Sequence, residues 1–112
     1  MVSDNLLLNA KEAADFLAVL GNERRLVILA HLLNGDTPVN ALVKKLNISQ
    51  SSLSQHLAKL REAGLVETRR DSQSIYYSCK SSAIRDLFDT LEATYGEEGS
   101  TKQKYPFLVV VP

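Results

Sequence analysis

Ile48–Arg61, ISQSSLSQHLAKLR, is the stretch on which the fold turns. Leu53, Leu57 and Leu60 recur at the spacing of one helix face. Ser49 stands where a helix N-cap belongs, and Gly64 supplies a left-handed position after the last turn. The helix is therefore expected from about Gln50 to Ala63. Its other face reads Ser51, Ser54, Gln55, Ala58 and Glu62, and the N-terminal half of that face is uncharged. A merely solvated helix would carry Glu and Lys there, because serine costs helix propensity. Serine and glutamine suit hydrogen bonds to base edges and phosphates, and small side chains let a helix sit deep in a major groove. A polar helix on some other interaction surface is the plainer alternative.

Working outward, Val39, Leu42, Val43 and Leu46 mark a short preceding helix. Thr37-Pro38 reads as its N-cap followed by proline at the first helical position. Asn47-Ile48 is the turn between the two helices. After Gly64, Leu65–Arg70 and Ser74–Cys79 alternate as two strands around Asp71-Ser72-Gln73. Two helices joined by a tight turn, the second followed by a hairpin, make a winged helix-turn-helix. The expected class is mainly α with a two-stranded β wing. Further helices are expected at Ala10–Leu20, Glu23–Leu33 and Ser82–Tyr95. The Glu23–Leu33 helix, capped by Asn22 and apolar almost all round, should be the central one.

Composition narrows the function. The 112 residues are one domain's worth, and zero net charge gives no global nucleic-acid signature. The distribution is more telling, because residues 39–80 carry seven basic and three acidic side chains. Lys59 and Arg61 flank the polar helix, and Arg69, Arg70 and Gln73 sit at the wing. No apolar run approaches the roughly 20 residues of a membrane span, and no signal peptide is read, so a cytoplasmic protein is expected. A single cysteine, Cys79, precludes an intrachain disulfide and a thiolate-rich metal site. His31 reads as a half-buried structural histidine. No nucleophile–base pair or phosphate loop is visible, so no enzyme is expected.

Three stretches, NERRLVIL at Asn22–Leu29, ISQSSLSQHLAKLR at Ile48–Arg61 and GLVETRRDSQSIYY at Gly64–Tyr77, strongly resemble the ArsR/SmtB family of bacterial regulators, in particular its NolR/HlyU branch. The resemblance covers about Ala10 to Tyr95. It implies a homodimer built by the first and last helices. It implies operator DNA read by Gln50, Ser51, Ser54 and Gln55, with His56, Arg69 and Arg70 nearer the phosphates. Departures matter as well. Metal sensors of the family carry Cys-x-Cys in the third helix, where this chain has Asn40–Lys45, or Asp and His along the last helix, where it has Asp86, Asp89 and Glu92 but no His. Neither a metal nor another cofactor is expected.

The combined expectation is a transcription regulator, a repressor, that binds a pseudo-palindromic duplex operator as a homodimer. Ser49, Gln50, Ser51, Ser54, Gln55, His56, Lys59, Arg61, Arg69, Arg70 and Gln73 would face the DNA. Phe16, Leu17 and Leu20 of the first expected helix would join Ile84, Leu87, Phe88, Leu91 and Tyr95 of the last at the dimer contact. Residues 1–96 would form this domain, and 97–112 a tail of linker plus apolar end. Two alternatives stay open: a winged-helix protein-interaction module without DNA binding, and a repressor answering an unidentified, redox or other, effector.

Overall fold

A computed structural model describes residues 1–96. The expected tail at 97–112 lies outside the described residues. The chain divides into two compact units, residues 1–80 and residues from Ser81 onward.

The first unit runs α1 (Asp4–Leu8), α2 (Ala10–Leu20), α3 (Glu23–Leu33), β1 (Thr37–Pro38), α4 (Val39–Leu46), α5 (Gln50–Glu62), β2 (Glu67–Asp71) and β3 (Ser74–Ser78). Capping fixes the helix starts. The Asn22 side chain accepts from the Arg25 N–H at 3.1 Å, and the Ser49 hydroxyl from the Ser52 N–H at 3.1 Å. Both satisfy a first-turn amide that has no partner inside the helix. Between α4 and α5 the chain turns through Asn47 at φ 52°, ψ 48°, a left-handed conformation that asparagine tolerates.

The end of α5 is closed by paired backbone bonds. Leu65 N–H donates to the Leu60 carbonyl at 3.0 Å and Gly64 N–H to Arg61 at 2.9 Å. This is the Schellman arrangement, and Gly64 takes the φ of 74° that it needs.

The core is made where α3, α4 and α5 meet. Ile28, Leu29 and Leu32 from α3, Leu42 from α4, and Leu53, Leu57 and Leu60 from α5 are all buried, with Leu65 and Val66 beneath. Each such side chain contributes about 1.5–3 kcal/mol relative to exposure. α3 is central, as expected, but not buried on every side within the single chain: Val27 is exposed. His31 is half-buried on the same helix, and its Nδ1 donates to the Val27 carbonyl at 3.0 Å.

The sheet has three strands in the order β1-β3-β2, all antiparallel. This enlarges the expected two-stranded wing. Thr37 and Pro38 do not start α4 as N-cap and first helical residue. Thr37 pairs with Tyr77 and Pro38 with Tyr76, and Pro38 itself holds the N-cap place at ψ 150°. The Thr37 hydroxyl turns back to the Gly35 carbonyl at 3.1 Å instead of capping. In the β2–β3 hairpin Asp71 faces Ser74, so only Ser72 and Gln73 form the turn. Ser72 adopts the positive φ, 59°, demanded at the first central position of such two-residue loops.

The second unit contributes α6 (Ser82–Tyr95). Its cap is the Ser81 hydroxyl, which accepts from the Ile84 N–H at 3.2 Å. The Thr90 and Thr94 hydroxyls bond back to the carbonyls of Asp86 and Thr90.

Candidate nucleic-acid interface

α5 has two faces by construction. Its leucines at 53, 57 and 60 are consumed by the core, so the helix must present its remaining side chains outward. Gln50, Ser51, Ser54, Gln55, Ala58, Lys59 and Arg61 are all exposed. Ser49 is engaged at the helix start, and its hydroxyl also lies 3.3 Å from that of Ser51. The exposed face is neutral and small along Ser51, Ser54, Gln55 and Ala58. Lys59 and Arg61 place cations near its C-terminal end.

Beside the N-terminal half of α5 runs a groove of about 430 Å³, lined by Pro38, Val39, Asn40, Gln50, Ser54, Gln73, Ser74, Ile75 and Tyr77. It brings Gln50, Ser54 and Gln73 together, although Gln73 sits on the hairpin turn and the others on the helix. Asn40, Ile75 and Tyr77 join them here. Nothing in the local pattern singles out Asn40, since its place depends on how α4 meets the wing. Ile75 and Tyr77 share a strand face, which alternation alone would have revealed.

The wing arginines occupy different settings. Neighbours along a strand point to opposite faces. Arg70 pairs with Ile75, and Ile75 lines the groove. Among the described residues Arg70 has no hydrogen-bond or ion-pair partner. Arg69 pairs with Tyr76 on the other face, and its guanidinium carbon lies 4.6 Å from the centre of that ring. Its Nε is 3.3 Å from Oδ2 of Asp36, and its Nη1 is 3.7 Å from Oδ2 of Asp71. Asp36 was not among the expected site residues.

His56 sits at the flank of α5 that meets α3. The Arg25 guanidinium, which also donates to the Val19 carbonyl, lies 3.4 Å from Nδ1 of His56. A guanidinium only donates, so Nδ1 is the acceptor and the proton of the neutral ring belongs on Nε2. Burial holds the His56 pKa below its ordinary 6.5, and Arg25, Arg24 and Lys59 add to the effect. The imidazole is therefore neutral near pH 7, with Nε2–H as its donor.

The residues expected at a dimer contact divide by burial. Leu20 and Ile84 are buried, so they offer no open surface. Leu17 is 57% exposed, and Phe16 is half-buried. α1 adds Leu6, Leu7 and Leu8, all exposed. On α6, Tyr95 is exposed and Leu87, Phe88 and Leu91 are half-buried. Among the described residues no group of three His, Cys, Asp or Glu comes together, and no helix is long and apolar enough to cross a membrane.

Residues 22–68, which span α3 to the start of the wing, match the family described as bacterial regulatory protein, arsR family. The chain is similar to nodulation protein NolR of Rhizobium meliloti, with 43% identity over 100 residues covering 89% of this chain and 82% of that one. It is also similar to transcriptional activator HlyU of Vibrio cholerae, with 41% identity over 87 residues covering 78% of this chain and 81% of that one. A solved structure from Mycobacterium bovis is described as a homodimeric winged helix-turn-helix DNA-binding domain. It superposes with a TM-score of 0.72 at 28% identity, covering 88% of this chain and 92% of that one.

Proposed function

The chain belongs to the ArsR family of bacterial regulatory proteins, and on that premise we propose that it recognises a specific duplex DNA sequence as a homodimer and represses the promoter that carries it. The observation that supports this most is the exposed face of α5. Gln50, Ser51, Ser54 and Gln55 form a neutral hydrogen-bonding strip with no intramolecular purpose beyond the cap. Such a strip suits base edges, where glutamine pairs with adenine through two bonds and serine with several bases. Lys59, Arg61 and Arg70, with His56 donating from Nε2, are the groups for phosphates on either side.

Two apolar surfaces, taken separately, support dimerisation. α1 and α2 leave Leu6, Leu7, Leu8 and Leu17 open, and α6 leaves Tyr95 open. Exposed leucines in such number mark an interface. The Mycobacterium bovis relative is described as homodimeric. A two-fold dimer would set its recognition helices roughly 34 Å apart, one turn of the duplex, so the operator would be an inverted repeat. Repression would follow from occupying the promoter.

Selection of bound sequences from random duplexes at a stated salt concentration tests the reading. An enriched inverted repeat is the expected result. Equal retention of all duplexes, or none, would defeat it and leave a protein-interaction module.

A further inference from the structure

Resting on that reading of the DNA-binding face, we propose that the two wing arginines have separate tasks: Arg69 is a positioning residue that fixes the pose of the wing through Asp36, and Arg70 alone makes the phosphate contact.

The pleat of β2 supplies the first reason. Consecutive residues cannot share a face. Arg70 shares its face with Ile75, which lines the groove beside α5. Arg69 shares the other face with Tyr76, and its guanidinium lies over that ring.

The register of the sheet supplies the second. Pro38, Tyr76 and Arg69 lie side by side across β1, β3 and β2. The Arg69 guanidinium reaches over the Tyr76 ring toward the carboxylate of Asp36, which immediately precedes β1. The result is a tie across the whole width of the sheet. It joins the outer strand of the hairpin to the loop that follows α3, in the body of the domain.

Charge supplies the third. Asp36 and Asp71 both approach Arg69, so its charge is already compensated. Moving it to a phosphate would leave Asp36 unpaired near polyanionic DNA. Arg70 carries no such debt.

The two tasks separate experimentally through Arg69→Ala, Arg70→Ala and Asp36→Ala. Binding to the selected operator is measured across a salt series. Arg70→Ala should make the salt slope shallower by about 2 per dimer, one contact being lost from each wing. Arg69→Ala and Asp36→Ala should each weaken binding about threefold per protomer, the scale of an exposed ion pair, with the slope unchanged. Their double variant should be no worse than either alone. A shallower slope for Arg69→Ala would overturn the proposal. So would tighter binding by Asp36→Ala, the result expected if Asp36 merely masks a phosphate contact.

A second measurement needs no DNA. Backbone amide relaxation of residues 70–74 in the free protein should show a more mobile hairpin in Asp36→Ala than in wild type. An unchanged hairpin would overturn the positioning role. If wild type bound no duplex, the proposed function would fail, and this measurement would still decide whether Asp36 holds the wing.

Discussion

The Arg25 guanidinium donates toward Nδ1 of His56 across the seam between α3 and α5, 3.4 Å away. The same side chain reaches back to the Val19 carbonyl in α2, so three helices are joined at one cation. A protonated His56 would lose its acceptor nitrogen and face Arg25, Arg24 and Lys59 with like charge. Its pKa accordingly falls below 6.5, through burial first and those cations second.

The pH dependence has a definite sign. Between the lowered folded value and about 6.5 the unfolded chain binds more protons at this site than the folded one, so stability rises with pH through that window. Acidification from pH 7.5 toward 5.5 should lower the melting temperature. His56→Gln, which keeps an acceptor for Arg25 without the titration, should reduce that drop. Equal drops in both proteins would remove His56 as a source.

Base readout is tested at Gln55, exposed on the neutral strip of α5. Gln55→Ala should cost about 1–3 kcal/mol on the selected operator and leave affinity for random duplex nearly unchanged. Competition binding with the two DNAs measures both. Parallel losses would make Gln55 a residue that places the helix without reading sequence.

Leu17 offers a clean test of assembly, because it is exposed within the single chain. Leu17→Glu should leave the helical content intact and shift the protein to monomer, since a carboxylate without a partner is costly to bury at an interface. Sedimentation at micromolar concentration with circular dichroism reads both properties. A dimer that persists unchanged would take Leu17 out of the contact.

Gly64 sits at φ 74°, and beyond its chain neighbours no atom lies within 4 Å of the place a Cβ would occupy. The penalty for Gly64→Ala is therefore conformational only, about 1–2 kcal/mol for a left-handed alanine. Urea unfolding at fixed protein concentration would show it as a lower midpoint with an unchanged slope. A neutral substitution would mean that the end of α5 relaxes into another cap.

What the sequence disclosed follows the range of the interactions involved. The leucines of α5, its serine cap and the turn at Asn47 are encoded within a few residues, and all were legible. β1 was not. Thr-Pro serves a helix start and a short edge strand equally well, because proline holds a similar φ in both. The choice is made by Tyr76 and Tyr77, far along the chain. α1 escaped because five residues are too few to display a period. The site shows the same division. The polar strip on α5 was visible as a pattern, whereas Arg25, beside His56, and Asp36, beside Arg69, lie 31 and 33 residues away from them. Leu20 and Leu17 looked alike in the sequence, and only packing separates the buried one from the exposed one.

The small sheet also bears on how the protein keeps company with itself in a crowded solution. Its edges are β1 and β2. A bare strand edge is a template on which foreign strands can grow. Here one edge is two residues long and ends in Pro38, which has no N–H to offer. The other is Glu67-Thr68-Arg69-Arg70-Asp71, charged at every position but one. A hairpin that has to stand out from the domain is thus kept from recruiting its neighbours into aggregates.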